Sequence, residues 1–231
     1  MDAPSRRKME MGRRALEFTR AHPDSEPGSD VGIARLEQLV RRGDEVTVAQ
    51  RDGIVQVRSA SSRKRELKRE MLALPIPHLA EVGRTAAKED HELGQTFQFR
   101  PTADSYLAFR TAARSMAAAA QEHRDLLLKY GLSQSVLDEF VQKLDEFDAA
   151  IALGNEGRTA HIGATREIHS VAREIVRVVR LMDGRSRQRF AGQEQLLGSW
   201  ISASTVLGTP ARSGTEPEGG TPASGEVRPA A

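Results

Sequence analysis

The chain has 231 residues, of which 29% are charged, yet the net charge is only +2 because 34 Lys and Arg balance 32 Asp and Glu. It has no cysteine, which excludes disulfides, thiolate zinc sites and a cysteine nucleophile, and only 4% of its residues are aromatic. This composition, without an apolar run long enough for a signal peptide or membrane span, predicts a cytoplasmic helical protein with no membrane span.

The first predicted element is a short helix over about residues 5–21. Met11, Ala15 and Phe18 recur at helical spacing. His22 ends the helix because it precedes Pro23, and a residue before proline is disfavoured in the helical conformation. The following segment, PDSEPGSD, has the composition of a loop.

The stretch DEVTVAQRDGIVQV, residues 44–57, supports two interpretations. Its Asp52-Gly53 pair lies between alternating apolar residues, which is a strong local signal for a β-hairpin. Read as helix, it belongs to a row of mostly apolar or small residues that recur every three or four positions from Leu36 to Leu74. A helix must accept Gly53, which costs about 1 kcal/mol, whereas an isolated two-stranded ribbon is marginal in water. The sequence therefore favours a helix over about residues 30–74, with the hairpin as the alternative.

The rest of the chain gives further helical signals. A helix is predicted over about residues 77–90, followed by an extended or looped stretch to Pro101. Stripes with steps of three and four predict long helices over about 103–130 and 134–182, and a shorter helix over about 186–205. Gly131 has the character of a left-handed helix stop, and Asp183-Gly184 of a helix end. Three glycines, Gly154, Gly157 and Gly163, predict a bend or a break near the centre of the 134–182 helix.

These elements predict an all-α fold, an antiparallel helical bundle with long helices. Residues 1–207 are expected to form a single domain. Residues 208–231 are rich in Pro, Gly, Ser and Thr without apolar periodicity, which predicts a disordered C-terminal tail.

Polar residues interrupt the apolar stripes near their centres. They form a candidate polar core layer comprising Gln50, His123, Asn155, Arg158, His161 and Thr165. The layer has three interpretations: a ligand or metal site, a hydrogen-bonded layer that fixes register, or the point where the stripe meets water. It lacks carboxylates, which favours the last two.

No motif predicts catalysis, a metal site or a cofactor. A di-iron bundle needs Glu three residues before a helical His, and the residues at those positions are Ala120, Arg158 and Arg166. The acidic stretch EDHE, residues 89–92, is typical of a solvated loop. The glycine-containing GNEGRTAHIG follows no strand and lacks the GK[ST] ending of a phosphate loop.

Arginines form a candidate phosphate-contact face on the long C-terminal helix. It consists of Arg166, Arg173, Arg177 and Arg180. Such a row can contact the phosphates of a nucleic acid, but Glu167 and Glu174 interleave with it and aromatic stacking partners are absent nearby, which favours a solvated, salt-bridged helix face.

Three segments together resemble an unnamed group of uncharacterised all-helical bacterial proteins: RKRELKRE, HLAEVGRTAAKED and LDEFDAAIALGNEGRTAHIGA. The resemblance covers about residues 6–205. It implies that residues 44–57 are helical, although the VTV and IVQV runs depart from the group's pattern. It implies no activity, ligand or catalytic residue.

The sequence therefore predicts a non-enzymatic protein that acts by binding another protein or by self-association. An accessory nucleic-acid binder that uses the arginine-rich helix faces is one alternative. A bundle that binds a small ligand or a metal through the polar layer is the other.

Overall fold

The computed structural model describes residues 1–24, 29–89, 93–99 and 105–208. Within these ranges every regular element is a helix and no strand occurs, which confirms the predicted all-α class. The helices are α1 (Ala3–Ala21), α2 (Ser29–Ala73), α3 (Pro75–Ala86), α4 (Leu93–Thr96), α5 (Tyr106–Glu122), α6 (Arg124–Lys129), α7 (Gln134–Arg189) and α8 (Glu194–Ser204).

Two long helices form the frame of the molecule. Helix α7 has 56 residues and is about 84 Å long at 1.5 Å per residue. It lies against the 45-residue α2. Arg35 pairs with Glu174 near one end of this contact, and Glu70 pairs with Lys143 near the other. Because residue numbers rise along one helix as they fall along the other, α2 and α7 are antiparallel.

Residues 44–57 are helical throughout and lie in the middle of α2. The alternating valines therefore do not form a hairpin. Val48 and Val55 are exposed, whereas Val46 and Gly53 are buried against the rest of the molecule. Packing of the three-four stripe on a second long helix outweighs the local turn signal of Asp52-Gly53.

The buried apolar residues form two separate cores, each at one end of the α2–α7 pair. The head core contains α3, α4, α5 and α6 with the adjoining ends of the long helices, including Met71 and Phe140. The foot core contains α1 and Trp200 of α8 with the opposite ends of the long helices, including Leu36 and Ile175. Both cores share α2 and α7. The single domain over residues 1–207 stays a prediction.

Between the cores lies a waist, residues 50–60 of α2 and 150–161 of α7. The residues buried there are small or polar: Gln50, Gly53, Ala60, Ala150 and Gly157. A Cβ added to Gly53 would lie 2.8 Å from the carbonyl oxygen of Gly157 and 2.9 Å from the backbone nitrogen of His161. The two backbones are therefore in direct contact, and Gly157 serves close packing. Helix α7 is not broken at its three central glycines.

The helix predicted over 103–130 is divided in the structure. Helix α5 begins after Ser105, whose hydroxyl accepts a hydrogen bond from the Ala108 amide, and ends at Glu122. His123 has φ −100° and ψ 22°, and α6 follows it. The apolar stripe keeps its phase across this residue, so periodicity alone could not detect the break. Gly131, at φ 95°, has the predicted left-handed conformation.

The C-terminal helix boundaries also differ from the prediction. Helix α7 continues through Asp183 and Gly184 to Arg189, and α8 begins only at Glu194. The Asp183 carboxylate accepts hydrogen bonds from Trp200 Nε1 at 2.9 Å and from Arg187 Nε at 2.7 Å. These contacts hold Asp183 within the helix, and the chain turns instead near Gly192, at φ 84°.

Smaller differences concern the remaining segments. The helix predicted over 77–90 spans Pro75–Ala86, and α4 lies in the stretch predicted as extended or looped. The predicted tail, residues 208–231, lies outside the described residues except for Gly208. A search of the described ranges finds no helix with the length and hydrophobicity needed to cross a membrane.

Candidate functional site

Three residues of the predicted polar layer meet at the edge of the waist. The Gln50 side chain is only 6% exposed, and its Nε2 donates to Thr165 Oγ1 at 2.8 Å. The Thr165 hydroxyl in turn donates to the carbonyl oxygen of His161 at 2.8 Å. His161 Nδ1 lies 3.3 Å from the Gln50 carbonyl oxygen. This arrangement satisfies buried polar groups within the protein and fixes the register of α2 on α7.

The other three residues of the layer lie elsewhere. Asn155 and Arg158 are exposed, and His123 lies between α5 and α6. The buried positions of α7 near Asn155 are instead Ala150 and Gly157, with Gly154 partly buried. The spacing of apolar residues on α7 predicted Asn155 and Arg158 in the layer. Where two helices approach closely, however, the residues with the smallest side chains make the contact. The six residues therefore do not form one ligand pocket.

The described residues contain no group of three His, Asp or Glu side chains placed to hold a metal ion together. Of the acidic stretch EDHE, only Glu89 is described. Its carboxylate accepts a hydrogen bond from Lys129 Nζ at 2.8 Å. The pKa of Glu89 is lowered, chiefly by that hydrogen bond and also by one from Tyr130.

The four arginines of the candidate phosphate-contact face, hereafter the arginine face, lie along one side of α7. Arg166, Arg173, Arg177 and Arg180 are all exposed. None of them takes part in an ion pair or hydrogen bond with another side chain in the described part of the chain. At 1.5 Å per residue, the row from Arg166 to Arg180 is about 21 Å long. The guanidinium groups are therefore available to an external anion along this length.

The glutamates that interleave with this row in sequence lie on another side of α7. Glu174 accepts a hydrogen bond from Arg35 of α2 at 2.7 Å, and Glu167 accepts one from Arg42 at 2.6 Å. Arginines of α2 therefore neutralise both carboxylates. The two glutamates are seven residues apart on α7, and the two arginines are seven residues apart on α2. The structure therefore separates the charges that the sequence mixes: one side of the α2–α7 pair is salt-bridged, and another carries arginines without internal partners.

A groove of about 450 Å³ lies along the arginine face. Its lining includes Arg173, Arg177, Arg180 and Lys8 from α1, with Val176 and Leu181 as apolar surface. Sequence reasoning missed Lys8, because the packing of α1 on α7 brings it there across a long sequence separation. The sequence signal that could have indicated Lys8 is the run of basic residues at positions 6–8.

The contact of α1 with α7 adds polar groups beside this face. Ser5 Oγ lies 3.1 Å from His169 Nδ1, and Asp2 lies 3.9 Å from the same nitrogen. A hydrogen bond from the Ser5 side chain is the main reason that the pKa of Asp2 is lowered, and His169 contributes. Asp2 thus provides one negative charge next to the row of arginines.

Three basic residues of α2, Arg63, Lys64 and Lys68, have a different environment. Arg63 pairs with Glu66 and Glu146, and the Lys64 and Lys68 ammonium groups lie 5.2 and 5.6 Å from the centroid of the Tyr106 ring. These cations have partners within the protein. The arginines of α7 are therefore the better candidates for binding.

Comparison with protein-family models, with curated proteins and with solved structures gave no match. The resemblance to all-helical bacterial proteins accordingly stays a prediction.

Proposed function

We propose that this protein is a non-enzymatic binding protein that holds the phosphate backbone of a nucleic acid on the arginine face of α7. The observation that carries the proposal is the separation of charges on α7. Arg166, Arg173, Arg177 and Arg180 have no internal carboxylate partner in the described chain, whereas Glu167 and Glu174 are paired with α2. Guanidinium groups match phosphate geometry through bidentate hydrogen bonds.

The geometry supports contact with the backbone rather than reading of bases. The arginines lie on one unbroken helix packed against α2, so the spacing of their Cα atoms is fixed before binding. A row of fixed cations binds phosphates without sequence information, and its affinity depends steeply on salt. We therefore expect sequence-independent binding.

The test compares two triple variants of the full chain by fluorescence anisotropy with a labelled 16-bp DNA duplex. In the first variant, Arg173→Gln, Arg177→Gln and Arg180→Gln remove three charges from the arginine face. In the control, Arg35→Gln, Arg42→Gln and Arg63→Gln remove three charges from the salt-bridged side. Far-UV circular dichroism checks that both variants keep their helices.

We expect the slope of log affinity against log salt to become shallower by about 2.7 in the first variant, or about 0.9 for each phosphate that no longer meets an arginine. The control variant should retain most of the wild-type slope, because its arginines are engaged with glutamates. Equal changes of slope in the two variants, or wild-type binding that does not respond to salt, would contradict the proposal.

A protein partner, which the sequence predicted ahead of a nucleic acid, is the second candidate. Val48 and Val55 favour it, since they lie one heptad apart on α2 and are 59% and 55% exposed. An apolar seam of this spacing suits packing against another helix. A native pull-down with mass spectrometry, with and without nuclease, distinguishes the candidates. Partners that persist after nuclease treatment and disappear in Val48→Lys, Val55→Lys would favour the protein partner.

A further inference from the structure

Three further arginines lie at the waist, and the sequence predicted a place in the polar core layer for one of them, Arg158. Arg51 and Arg58 belong to α2 and Arg158 belongs to α7, and all three are exposed. In the described ranges none of them takes part in an ion pair or hydrogen bond. They are called the waist arginines below. Their lack of internal partners matches that of the arginine face.

The arginines of α2 lie on the side of the pair that α1 occupies. Asp44, Arg51 and Arg58 are seven residues apart and therefore share one face of α2. Asp44 forms an ion pair with Arg13 of α1, which identifies that face. Helix α1 begins near the level of Gln50, so Arg51 and Arg58 lie beyond its first turn.

The arginines of α7 lie on the same side. His169 contacts Ser5 of α1 and so marks the side of α7 that faces this helix. Arg158 precedes His169 by eleven residues and Arg180 follows it by eleven. Eleven residues make about three helical turns, so the three side chains share one face. Arg158 and Arg180 therefore lie on the side of the molecule that carries Arg51 and Arg58, and Arg173, four residues after His169, lies next to them. Arg166 and Arg177 lie farther round α7, nearly opposite its contact with α2 at Gly157.

We infer that the waist arginines extend the arginine face into one continuous binding track for duplex nucleic acid, an inference that rests on the proposed function. Val57 lies against Gly157, so Arg58 is close to the level of residue 156 on α7. From there to Arg180 the track is about 36 Å long at 1.5 Å per residue. Duplex DNA rises about 3.4 Å per base pair, so the track spans about eleven base pairs.

The composition of the track favours a duplex over a single strand. Residues 29–73 and 148–189 contain no Phe, Tyr or Trp. Proteins that bind single strands combine cations with aromatic side chains on which bases stack. A straight track of arginines without stacking rings contacts phosphates only, and a duplex presents its phosphates at a fixed spacing without unstacking.

The experiment uses the full chain with Arg51→Gln, Arg58→Gln and Arg158→Gln, compared with wild type, with the α7 triple variant and with the salt-bridge control variant. The probes are labelled 8-bp and 16-bp DNA duplexes and a 16-nucleotide oligo(dT), titrated at 50 and 200 mM salt. The 8-bp duplex is about 27 Å long, so it can occupy the arginine face without reaching the whole waist.

On the 16-bp duplex, wild-type affinity should fall between 50 and 200 mM salt by about 40-fold more than that of the waist variant, because the variant neutralises three fewer phosphates. On the 8-bp duplex the two proteins should differ much less. Wild type should bind the 16-bp duplex more tightly than oligo(dT).

The outcomes separate this inference from the proposed function. If the α7 variant loses salt-dependent binding but the waist variant matches wild type on the 16-bp duplex, the track is wrong and the arginine face stands. If oligo(dT) binds as tightly as the duplex, the assignment to a duplex is wrong. If neither variant differs from the control variant, both proposals are overturned.

Discussion

At the scale of single residues, the waist depends on two glycines that face each other. Gly53 and Gly157 each leave room for the other helix's backbone: a Cβ added to Gly157 would lie 2.9 Å from the Gly53 carbonyl oxygen and 2.9 Å from Gln56 Cβ. Neither backbone can move away without separating α2 from α7. Glycine lowers helix propensity, yet here it permits the contact that orders both helices.

The substitution Gly53→Ala should therefore lower the free energy of unfolding by about 1–3 kcal/mol, as overpacking a close contact does. Gly163 is the matched control, because it lies in α7 with nothing within 4 Å of an added Cβ. Gly163→Ala should raise stability by up to about 1 kcal/mol through helix propensity. Urea titration followed by circular dichroism measures both. Stabilisation by Gly53→Ala would show that the backbones are not in contact.

At the scale of elements, an ion-pair cluster joins α5 to α7. Arg110 Nε donates to Asp148 Oδ1 at 2.5 Å, and Arg114 donates to both Asp148 and Asp145. The hydrogen bond from Arg110 is the main cause that lowers the pKa of Asp148, followed in the same direction by Arg114. Because the folded-state pKa lies below the unfolded value of about 3.9, the cluster stabilises the fold above that pH.

The substitution Asp148→Asn should therefore reduce stability at pH 7, and the difference from wild type should shrink as the pH falls below about 4 through the folded-state pKa. Urea unfolding at pH 7, 4 and 3 measures this difference. Asp125→Asn is the control, because the Asp125 side chain is 98% exposed and its ion pair with Arg124 is long, at 4.0 Å. A difference that grows on acidification would refute the sign of this linkage.

The boundaries of elements illustrate what periodicity can detect. The stripe from Leu36 to Leu74 predicted the course of α2, because one side of a long helix must be apolar to pack. Only its last residue, Leu74, lies beyond α2 and is exposed. The end predicted at Asp183-Gly184 was wrong because Trp200 and Arg187 engage Asp183 from α8 and from the next turn. A local sequence signal cannot include a hydrogen bond that only the packing of another helix provides.

At the scale of the whole molecule, two cores share two continuous helices. The chain's single tryptophan, Trp200, lies in the foot core, whereas Phe140 lies in the head core. Tryptophan fluorescence, excited at a wavelength that tyrosine does not absorb, therefore reports the foot core alone, and far-UV circular dichroism reports all helices. This placement allows a direct test of the predicted single domain.

The substitution Phe140→Ala should lower the free energy of unfolding by about 3–5 kcal/mol. If α2 and α7 couple the cores, the Trp200 fluorescence transition in urea should shift together with the circular dichroism transition. Ile175→Ala in the foot core is the reciprocal control and should also move both signals together. A fluorescence transition that stays at the wild-type midpoint in Phe140→Ala would show that the cores unfold separately.

The candidate site shows the limit of sequence reasoning in the same way. The row from Arg166 to Arg180 could be located from its spacing, but whether its charges were neutralised depended on where Glu167 and Glu174 lay relative to α2. Arg158 is in phase with apolar residues, which predicted a place for it in the polar layer. It is exposed because Gly157, beside it, makes the helix contact.

The sequence by itself determined the helical class and the approximate course of the long helices, because the spacing of apolar residues is a local property of each segment. The tertiary structure decided which residues meet. It placed two cores at the ends of one helix pair, aligned Gly53 with Gly157, and divided the charges of α7 between a paired side and an unpaired one. These features depend on the register between segments about a hundred residues apart, which no local pattern specifies.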